Sequence, residues 1–418
     1  MFCTHSFQHF SPSRSQRGVA LLVVAFGLSL VAVLVQIFIY KSQIHHRSAI
    51  AEGERLRARY NAYSTLEIAR IFLRVQAKFI DNNVMAKNFG LNMTQLVPTI
   101  IPLFFDENLA AQLLGGSTTG LGTLPQKGSG VLDVFRPEEG RINVNCAYNS
   151  SQLERFNQLT LGLFLDRRYD ELFGRVLEDG QTLDRPSQVA AIVDYIDLDQ
   201  SATGGIQDED SYYKNLAQPT ISRNNLLDTV SDIRLIRGVD DIFWVNFGSS
   251  FSVYGGCQLH LCAMDPENWQ LLAGLIVLTA VNPNDPVITD PIKLKLLATT
   301  VAPQIPLLCQ DLQAFVQAVA NPGTASVLIS GMTQTSVENS GDLGNDGIAD
   351  IQVQGVELDA GKLATLVVSG QKRYYRLRAI GVSDQAAASI EAVWDQLAVS
   401  TQSGASTSPG SYVYWKED

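Results

Sequence analysis

Apolar residues form an uncharged run from Val19 to Tyr40, close to the N-terminus. At about 1.5 Å per residue, a helix over this run would be roughly 33 Å long, which is enough to cross a bilayer. From Lys41 to about Asn82, apolar side chains recur at steps of three or four, and no proline interrupts the stretch. This pattern predicts one long helix that leaves the membrane and continues into a folded domain.

Hydrophobic patterning changes twice along the rest of the chain. Residues from about 142 to 320 carry mostly helical patterns, such as Ser151–Phe164 and Pro266–Leu278. After about 325, β-branched and aromatic runs separated by Gly, Asp and Asn predict strands. The predicted strands cover 326–330, 363–369, 373–380 and 412–415, and Gly- or Ser-rich loops are expected at 115–130 and 400–411. A helical block between an N-terminal helix and C-terminal strands indicates an insertion into a smaller α+β domain.

The charge balance restricts the class of partner. The 418 residues include 31 Lys+Arg and 42 Asp+Glu, for a net charge of -11. This acidity argues against nucleic acid or an anionic membrane surface as the main partner, because phosphate binding needs clustered basic residues. A DNA-binding hairpin around Leu235–Val239 is also disfavoured, because Asp240 and Asp241 place negative charge where phosphate would lie.

Sequence signals for catalysis are missing. The chain has no Gly-x-Ser-x-Gly elbow, no Walker loop and no pair of metal-binding histidines. A nucleophile made of Cys262 and His260 is disfavoured, because an exported cysteine more often forms a disulfide. We therefore predict no enzymatic activity and no catalytic residues.

The N-terminus resembles the type IV prepilin signal. A basic leader ends in Gln16-Arg17-Gly18, and Val19-Ala20-Leu21-Leu22-Val23 follows. The resemblance implies that a prepilin peptidase cuts after Gly18 and methylates Val19. Most such proteins have Glu at the fifth mature position, which is Val23 here. In this respect the chain is similar to the K-type minor pseudopilins of type II secretion systems. An unpaired carboxylate in lipid is energetically costly. A subunit with no neighbour above it is therefore more stable in the membrane when it lacks this Glu.

Four further segments resemble the same family in its order. They are the strand-like Gly140–Asn145, the acidic Ala190–Tyr213, Ser231–Val239 and the closing Tyr412–Trp415. Residues 141–147 and 257–263 form a weak internal repeat. In both segments a short strand and a Cys-Ala pair precede the start of a helix.

The resemblance implies an α+β pseudopilin fold, in which a long N-terminal transmembrane helix packs on a small antiparallel sheet and a large, mainly α-helical domain is inserted. The expected segments are a leader (1–18), a transmembrane segment (19–40), the rest of the helix and the first part of the pilin domain (41–140), the inserted helical domain (141–320) and the C-terminal β part (321–418).

The implied function is assembly, as a minor pseudopilin that caps the periplasmic pseudopilus and helps to initiate it for protein export. The implied location is the bacterial inner membrane, crossed once, with the bulk of the chain in the periplasm. Implied partners are the I, J and H types of minor pseudopilin, inner-membrane assembly platform proteins, the prepilin peptidase and the lipid bilayer, without nucleic acid. Two alternatives stay open: a signal-anchored periplasmic calcium-dependent binding protein, and the tip protein of a related type IV pilus.

Acidic residues are concentrated in one segment that lacks Lys and Arg. Its carboxylates are Asp194, Asp197, Asp199, Asp208, Glu209 and Asp210. These carboxylates repel one another, and a Ca²⁺ ion, which takes six to eight oxygen ligands, would offset the repulsion. A solvated acidic loop explains the same residues. We favour calcium, which the resembled family binds in its helical domain. Ala202 stands where an EF-hand has its turn glycine, so an EF-hand is excluded.

A second, weaker metal candidate is Asp342, Asp346 and Asp350, spaced like first, fifth and ninth ligands of a calcium loop. Gly344 and Val353 occupy two other ligand positions, and a plain β-turn rich in Asn, Asp and Gly explains the same sequence.

Four cysteines remain after the leader: Cys146, Cys257, Cys262 and Cys309. An even number in an exported chain indicates two disulfides, with three connectivities open. Cys146 and Cys262 occupy matching positions in the two repeated segments, so our first hypothesis is a disulfide between them.

Overall fold

The computed structural model describes residues 14–76, 93–105, 128–177, 180, 182–203, 209–323, 353–370, 372–398 and 410–418. The helices are α1 (Arg14–Val75), α2 (Met93–Ile100), α3 (Leu153–Phe164), α4 (Asp170–Gly174), α5 (Arg185–Ile196), α6 (Asp210–Lys214), α7 (Asp241–Phe247), α8 (Trp269–Thr279), α9 (Pro286–Thr289), α10 (Pro291–Val301), α11 (Ile305–Leu308), α12 (Leu312–Ala320) and α13 (Ala360–Leu366). The strands are β1 (Ser129–Pro137), β2 (Ile142–Asn143), β3 (Phe251–Ser252), β4 (Leu259–His260), β5 (Val367–Val368), β6 (Tyr374–Ser383), β7 (Ala386–Asp395) and β8 (Ser411–Glu417).

The predicted long helix is confirmed as α1, which is continuous for 62 residues. Its N-terminal half is exposed, and the stretch Gly18–Val75 is long and apolar enough to cross a membrane by length and composition. Farther along, Ala62, Leu66, Ala69 and Leu73 recur every three or four residues and are buried. This stripe packs on the antiparallel sheet β1-β6-β7-β8, so the predicted α+β architecture is confirmed.

Small residues bring α1 close to the sheet. A Cβ added to Gly381 in β6 would lie 2.0 Å from the carbonyl oxygen of Ala58. The register of β6 with β7 places Tyr375 opposite Trp394, and both side chains are buried in the core under α1. We refer to α1, α2, β1, β6, β7 and β8 as the helix–sheet unit.

The predicted helical insertion is present between β1 and β6, and we refer to residues 138–373 as the helical insert. It has its own hydrophobic core, separate from that of the helix–sheet unit. Two short parallel strand pairs, β2–β3 and β4–β5, lie within it. Each strand pair joins the beginning and the end of one block of helices. The internal repeat in the sequence therefore corresponds to two blocks of similar topology.

The helical insert extends past its expected end at residue 320. Val356, Leu358, Leu363 and Leu366 belong to its core rather than to the C-terminal sheet. The strand predicted at 363–369 is wrong over most of its length, because Ala360–Leu366 is helical and only Val367–Val368 is extended. Asp359 caps this helix, since its carboxylate accepts hydrogen bonds from the backbone N–H groups of residues 361 and 362.

The strands predicted at 373–380 and 412–415 are confirmed within β6 and β8, and the helices predicted at 151–164 and 266–278 within α3 and α8. Ser129 and Gly130, expected in a loop, begin β1. The strand expected at 326–330 and most of the loop expected at 400–411 lie outside the described residues.

The disulfide hypothesis of Cys146 with Cys262 is wrong. The bonds are Cys146–Cys257 and Cys262–Cys309. The two repeated strands, β2 and β4, do not pair with each other. Strand β2 pairs with β3, and β4 pairs with β5, at the end of its own block. The β2–β3 pair therefore brings Cys257, shortly after β3, to Cys146.

Candidate functional site

The N-terminal half of α1 is an exposed apolar surface. Val19 and Val23 are about two-thirds exposed, like the other large apolar residues as far as Tyr40. Gly18, the predicted cleavage position, lies inside α1 near its start. An apolar helix surface of this length is suited to contact with lipid or with apolar helices.

The exposed apolar surface of α1 continues beyond Tyr40. Leu56, Tyr60 and Tyr63 stay about half exposed on α1. With Ile390 and Trp415 they line a groove of about 280 Å³ between α1 and β8. The ring of Tyr63 lies 6.0 Å from that of Trp415.

The helical insert lies at the end of the sheet that is farther from the apolar half of α1. The turn between β6 and β7 is beside Glu54, which accepts a hydrogen bond from Ser383. The opposite end of the sheet is beside Arg70 and Arg74, whose guanidinium groups lie 5.2 and 5.8 Å from the ring of Trp394. Glu54 and Arg74 are roughly 30 Å apart along the helix axis. The chain enters the insert after Pro137, which is paired with Tyr375 at this far end.

Three of the predicted acidic ligands meet in the insert. Carboxylate oxygens of Asp194, Asp197 and Glu209 all lie within 4.8 Å of one another. We refer to these three residues as the acidic cluster. Helix α5, capped by Asp184, ends at Ile196, so Asp194 lies on its last turn and Asp197 just after it. Glu209 directly precedes α6 and is buried.

The electrostatics of the acidic cluster are unfavourable without a counterion. Burial, with the neighbouring charges of Asp199 and Asp194, raises the pKa of Asp197 to about 6. Burial and the charge of Asp197 raise the pKa of Glu209 to about 8. Both carboxylate oxygens of Glu209 and Oδ1 of Asp197 are buried without a hydrogen-bond partner.

Other predicted ligands have different surroundings. The carboxylate of Asp210 accepts hydrogen bonds from the backbone N–H and hydroxyl of Ser222, at 2.8 and 2.7 Å. Asp199 accepts one from the backbone N–H of Ser201 at 2.8 Å. Asp208 and the second candidate, Asp342, Asp346 and Asp350, lie outside the described residues.

Two residues near the cluster were missed by the sequence reasoning. Thr203 donates its backbone N–H and its hydroxyl to Oδ1 of Asp194. Asn224 donates its side-chain amide to the carbonyl of Asp199 at 3.0 Å, and its Oδ1 is buried without a partner. The φ of Asn224 is 47°, a left-handed conformation that Asn tolerates better than most residues.

Partnerless oxygens on clustered carboxylates are the donor set that a hard divalent cation requires. Asp194, Asp197 and Glu209 are therefore the residues that would hold a metal ion in this cluster. A bound ion would neutralise the repulsion and tie the end of α5 to the start of α6.

His260 and Cys262 do not form a reactive pair. Cys262 is bonded to Cys309. His260 is buried, and its Nε2 lies 3.1 Å from the carbonyl oxygen of Gly370.

Comparison with known proteins gives a family for the first helical block. Residues 140–244 match the family model of type II secretion system (T2SS) protein K. No curated protein matches the chain. Among solved structures, the chain is similar to a chain of the GspK-GspI-GspJ complex from the type 2 secretion system of enterotoxigenic Escherichia coli. That likeness has 13% sequence identity and a TM-score of 0.42, over 71% of this chain and 81% of the other. The match therefore relates the first helical block of this chain to the type II secretion system protein K family.

Proposed function

We propose that this chain is a minor pseudopilin of a type II secretion system, which caps the tip of the periplasmic pseudopilus and helps to initiate its assembly for protein export. The observation that carries the proposal is the position of the helical insert at the far end of the sheet, roughly 30 Å along α1 from Glu54. With the apolar half of α1 in the fibre axis or the membrane, the insert would be the outermost part of the subunit. It would then obstruct addition of another subunit on that side.

The apolar half of α1 supports a role as a membrane-anchored assembly subunit. It presents an uncharged surface from Val19 to Tyr40, with valine at position 23 where most prepilins have Glu. A subunit at the top of the fibre has no terminal amino group above it to pair with a carboxylate, and an unpaired carboxylate in lipid is costly. The proposed orientation is a single pass of the inner membrane, with the insert in the periplasm.

Processing of the N-terminus tests this pathway. We expect the chain recovered from membranes to begin at methylated Val19 when prepilin peptidase is active, and at Met1 when the peptidase is inactive. Intact-mass measurement of the two samples distinguishes these results. A chain that keeps residues 1–18 beside an active peptidase would refute the pilin-type pathway and favour a signal-anchored, calcium-dependent binding protein.

Tip location is tested by cross-linking through the groove beside α1. We propose the I, J and H types of minor pseudopilin as partners, because residues 140–244 match the family model of T2SS protein K. A photoreactive residue at Tyr60, which lines this groove, should cross-link to those subunits in cells. The same probe at Val245, 81% exposed on the insert, should not, because the insert points away from the fibre. Cross-links from both positions to the major pseudopilin would contradict a tip location.

We also propose that the acidic cluster binds calcium. Its support is the set of partnerless buried oxygens on Asp197 and Glu209. Added calcium should raise the melting temperature of chelator-treated protein. The stabilisation is about 2.7 kcal/mol when calcium is at 100 times its dissociation constant.

The double variant Asp197→Asn, Glu209→Gln should lose this calcium response. A matched control is Glu154→Gln, which removes an exposed carboxylate on α3 whose hydrogen bond is to Gln158. If the double variant and the control respond to calcium alike, the ion binds elsewhere.

A further inference from the structure

In the described residues, the chain passes between the helical insert and the helix–sheet unit at two places. The first is the short segment 138–141 between β1 and β2, and the second leads from β5 to β6. Two crossings alone would allow the units to rotate relative to each other. Contacts between the units restrict that rotation, and the first crossing contains a buried group of them.

Glu138 is at the centre of these contacts and is completely buried. Its carboxylate accepts hydrogen bonds from the Arg376 guanidinium in β6, the closest being 2.7 Å from Nε to Oε1. On the other side, Oε2 accepts a hydrogen bond of 2.6 Å from the hydroxyl of Ser252 in β3. One carboxylate thus joins the sheet of one unit to a strand of the other.

Neighbouring groups reinforce the same junction. Arg141 donates to Glu138 from the insert side at 3.3 Å, and only 7% of its side chain is exposed. The backbone N–H of Glu138 donates to the carbonyl of Tyr374 at 2.9 Å, and the backbone N–H of His260 donates to the carbonyl of Glu139 at 2.9 Å. The crossing is therefore hydrogen-bonded to β3, β4 and β6.

Gly140 shows how closely this crossing is packed. A Cβ at this position would lie 2.0 Å from the carbonyl oxygen of Ala263, in the second helical block. The crossing is therefore held between both blocks of the insert and the sheet. A buried carboxylate shared by two guanidinium groups is also costly to separate, because any opening leaves a charge unpaired.

We propose that Glu138 is a positioning residue that fixes the helical insert in one orientation on the helix–sheet unit. The functional role of this fixed orientation rests on the proposed function, because a cap obstructs one side of the fibre only if it is held at a defined angle to α1. The fixed orientation itself is a property of the isolated protein and can be measured without secretion.

The test uses spin-label distances in the full-length chain in detergent. Labels at Arg55 and Val245, and separately at Arg55 and Ile292, span the junction, whereas a pair at Val245 and Ile292 lies within the insert. All three side chains are more than 70% exposed. We expect a single narrow distance distribution for each pair in the otherwise native chain.

Glu138→Gln should broaden the distributions of both pairs that span the junction and leave the pair within the insert unchanged. Glu138→Asp, which keeps the charge, should restore narrow distributions at least in part. Glu391→Gln is the matched control: it removes another carboxylate bound to Arg376, but within the sheet, and should broaden none of the three.

Unchanged distributions in folded Glu138→Gln would overturn the proposal. If that variant does not fold, Ser252→Ala removes the contact to the insert without removing a charge, and the same two outcomes apply to it. A secretion assay separates this inference from the proposed function. Broadened distances with normal secretion would support the positioning role of Glu138 and refute the need for a fixed cap.

Discussion

The helix–sheet unit and the helical insert are stabilised in different ways. In the first, small residues of α1 allow its backbone to approach the sheet so closely that Gly381 has no room for a Cβ beside Ala58. In the second, large aromatic rings fill the space between short helices. The ring of Phe164 lies 4.9 Å from that of Phe247 and 5.5 Å from that of Phe243. Both disulfides also lie in the insert. A long helix on a sheet makes a regular interface, whereas short helices need bulky side chains and cross-links.

The largest expected effect is the loss of a disulfide. Replacing Cys146 and Cys257 by Ser removes a cross-link between residues 111 apart. By loop-closure entropy, this should lower the free energy of unfolding of the insert by roughly 4–5 kcal/mol. The helix–sheet unit, which contains neither cysteine, should keep its stability.

Tryptophan fluorescence can follow the two units separately during denaturation. Of the four tryptophans, Trp244 and Trp269 lie in the insert, and Trp394 and Trp415 in the helix–sheet unit. Replacing either pair by Phe leaves a reporter of the other unit. An equal shift of both reporters in the cysteine variant would contradict the independent stability of the two units.

A slightly smaller effect is expected from Phe247→Ala. Phe247 is fully buried and packs against Phe164, Phe243 and Tyr169. Truncation of such a side chain leaves a cavity and should cost about 3–5 kcal/mol. The insert reporter in urea denaturation should show this loss. As a control, Phe26→Ala changes a ring that is 67% exposed on α1, and should leave both reporters unchanged.

Acid should weaken the insert through His260. Burial, with the nearby charge of Lys372, lowers the pKa of this histidine from 6.5 to about 4. The unfolded chain therefore takes up a proton between these pH values and the folded chain does not, so the contribution of His260 to stability falls as the pH drops from 6.5 to 4. One pKa unit corresponds to 1.36 kcal/mol, which gives a loss of about 3 kcal/mol at the lower limit. Asp197 and Glu209, whose pKa values are raised in the folded chain, contribute with the opposite sign.

His260→Gln should remove this contribution, so that the variant loses less stability than the native chain between pH 6.5 and 4, as measured by urea denaturation across the pH range. The matched control is His45→Gln, an exposed position on α1. Burial raises the pKa of Glu138, but Arg376 and Arg141 lower it further, so the pKa lies below its usual value. Protonation of Glu138 therefore destabilises the protein only in stronger acid. A profile that keeps its slope between pH 6.5 and 4 in His260→Gln would assign the effect to another group.

The same contrast explains which features the sequence could predict. The long helix and the strands β6 and β8 follow from local periodicity, and the structure has them. The disulfide pairing does not follow from local patterns, because it depends on the parallel pair β2–β3, whose strands are more than a hundred residues apart. Most of helix α13 was predicted as a strand because the stretch 363–369 includes the β-branched Val367 and Val368. The cap at Asp359 and packing on the insert core instead favour a helix as far as Leu366.

The acidic cluster was only partly predictable for a related reason. The density of carboxylates pointed to the segment, but which of them meet depends on how the chain after Asp197 returns to the start of α6. That return brings Glu209 to Asp194 and Asp197, while Asp210 faces Ser222. Asn224 comes from a later segment, which no spacing within the acidic stretch could indicate.

The smallest expected effect concerns the ion pair between Arg59 on α1 and Glu417 in β8. Its atoms are 2.6 Å apart, but the two side chains are 59% and 34% exposed. Solvent screening and side-chain entropy usually limit an exposed pair to less than about 1 kcal/mol. A double-mutant cycle of Arg59→Gln and Glu417→Gln, followed by the helix–sheet reporter, measures the coupling. If backbone packing is what stabilises this unit, the coupling energy should be near zero and should vanish in added salt. A coupling as large as the effect of Phe247→Ala would show instead that charges at the edge of the sheet keep α1 in place.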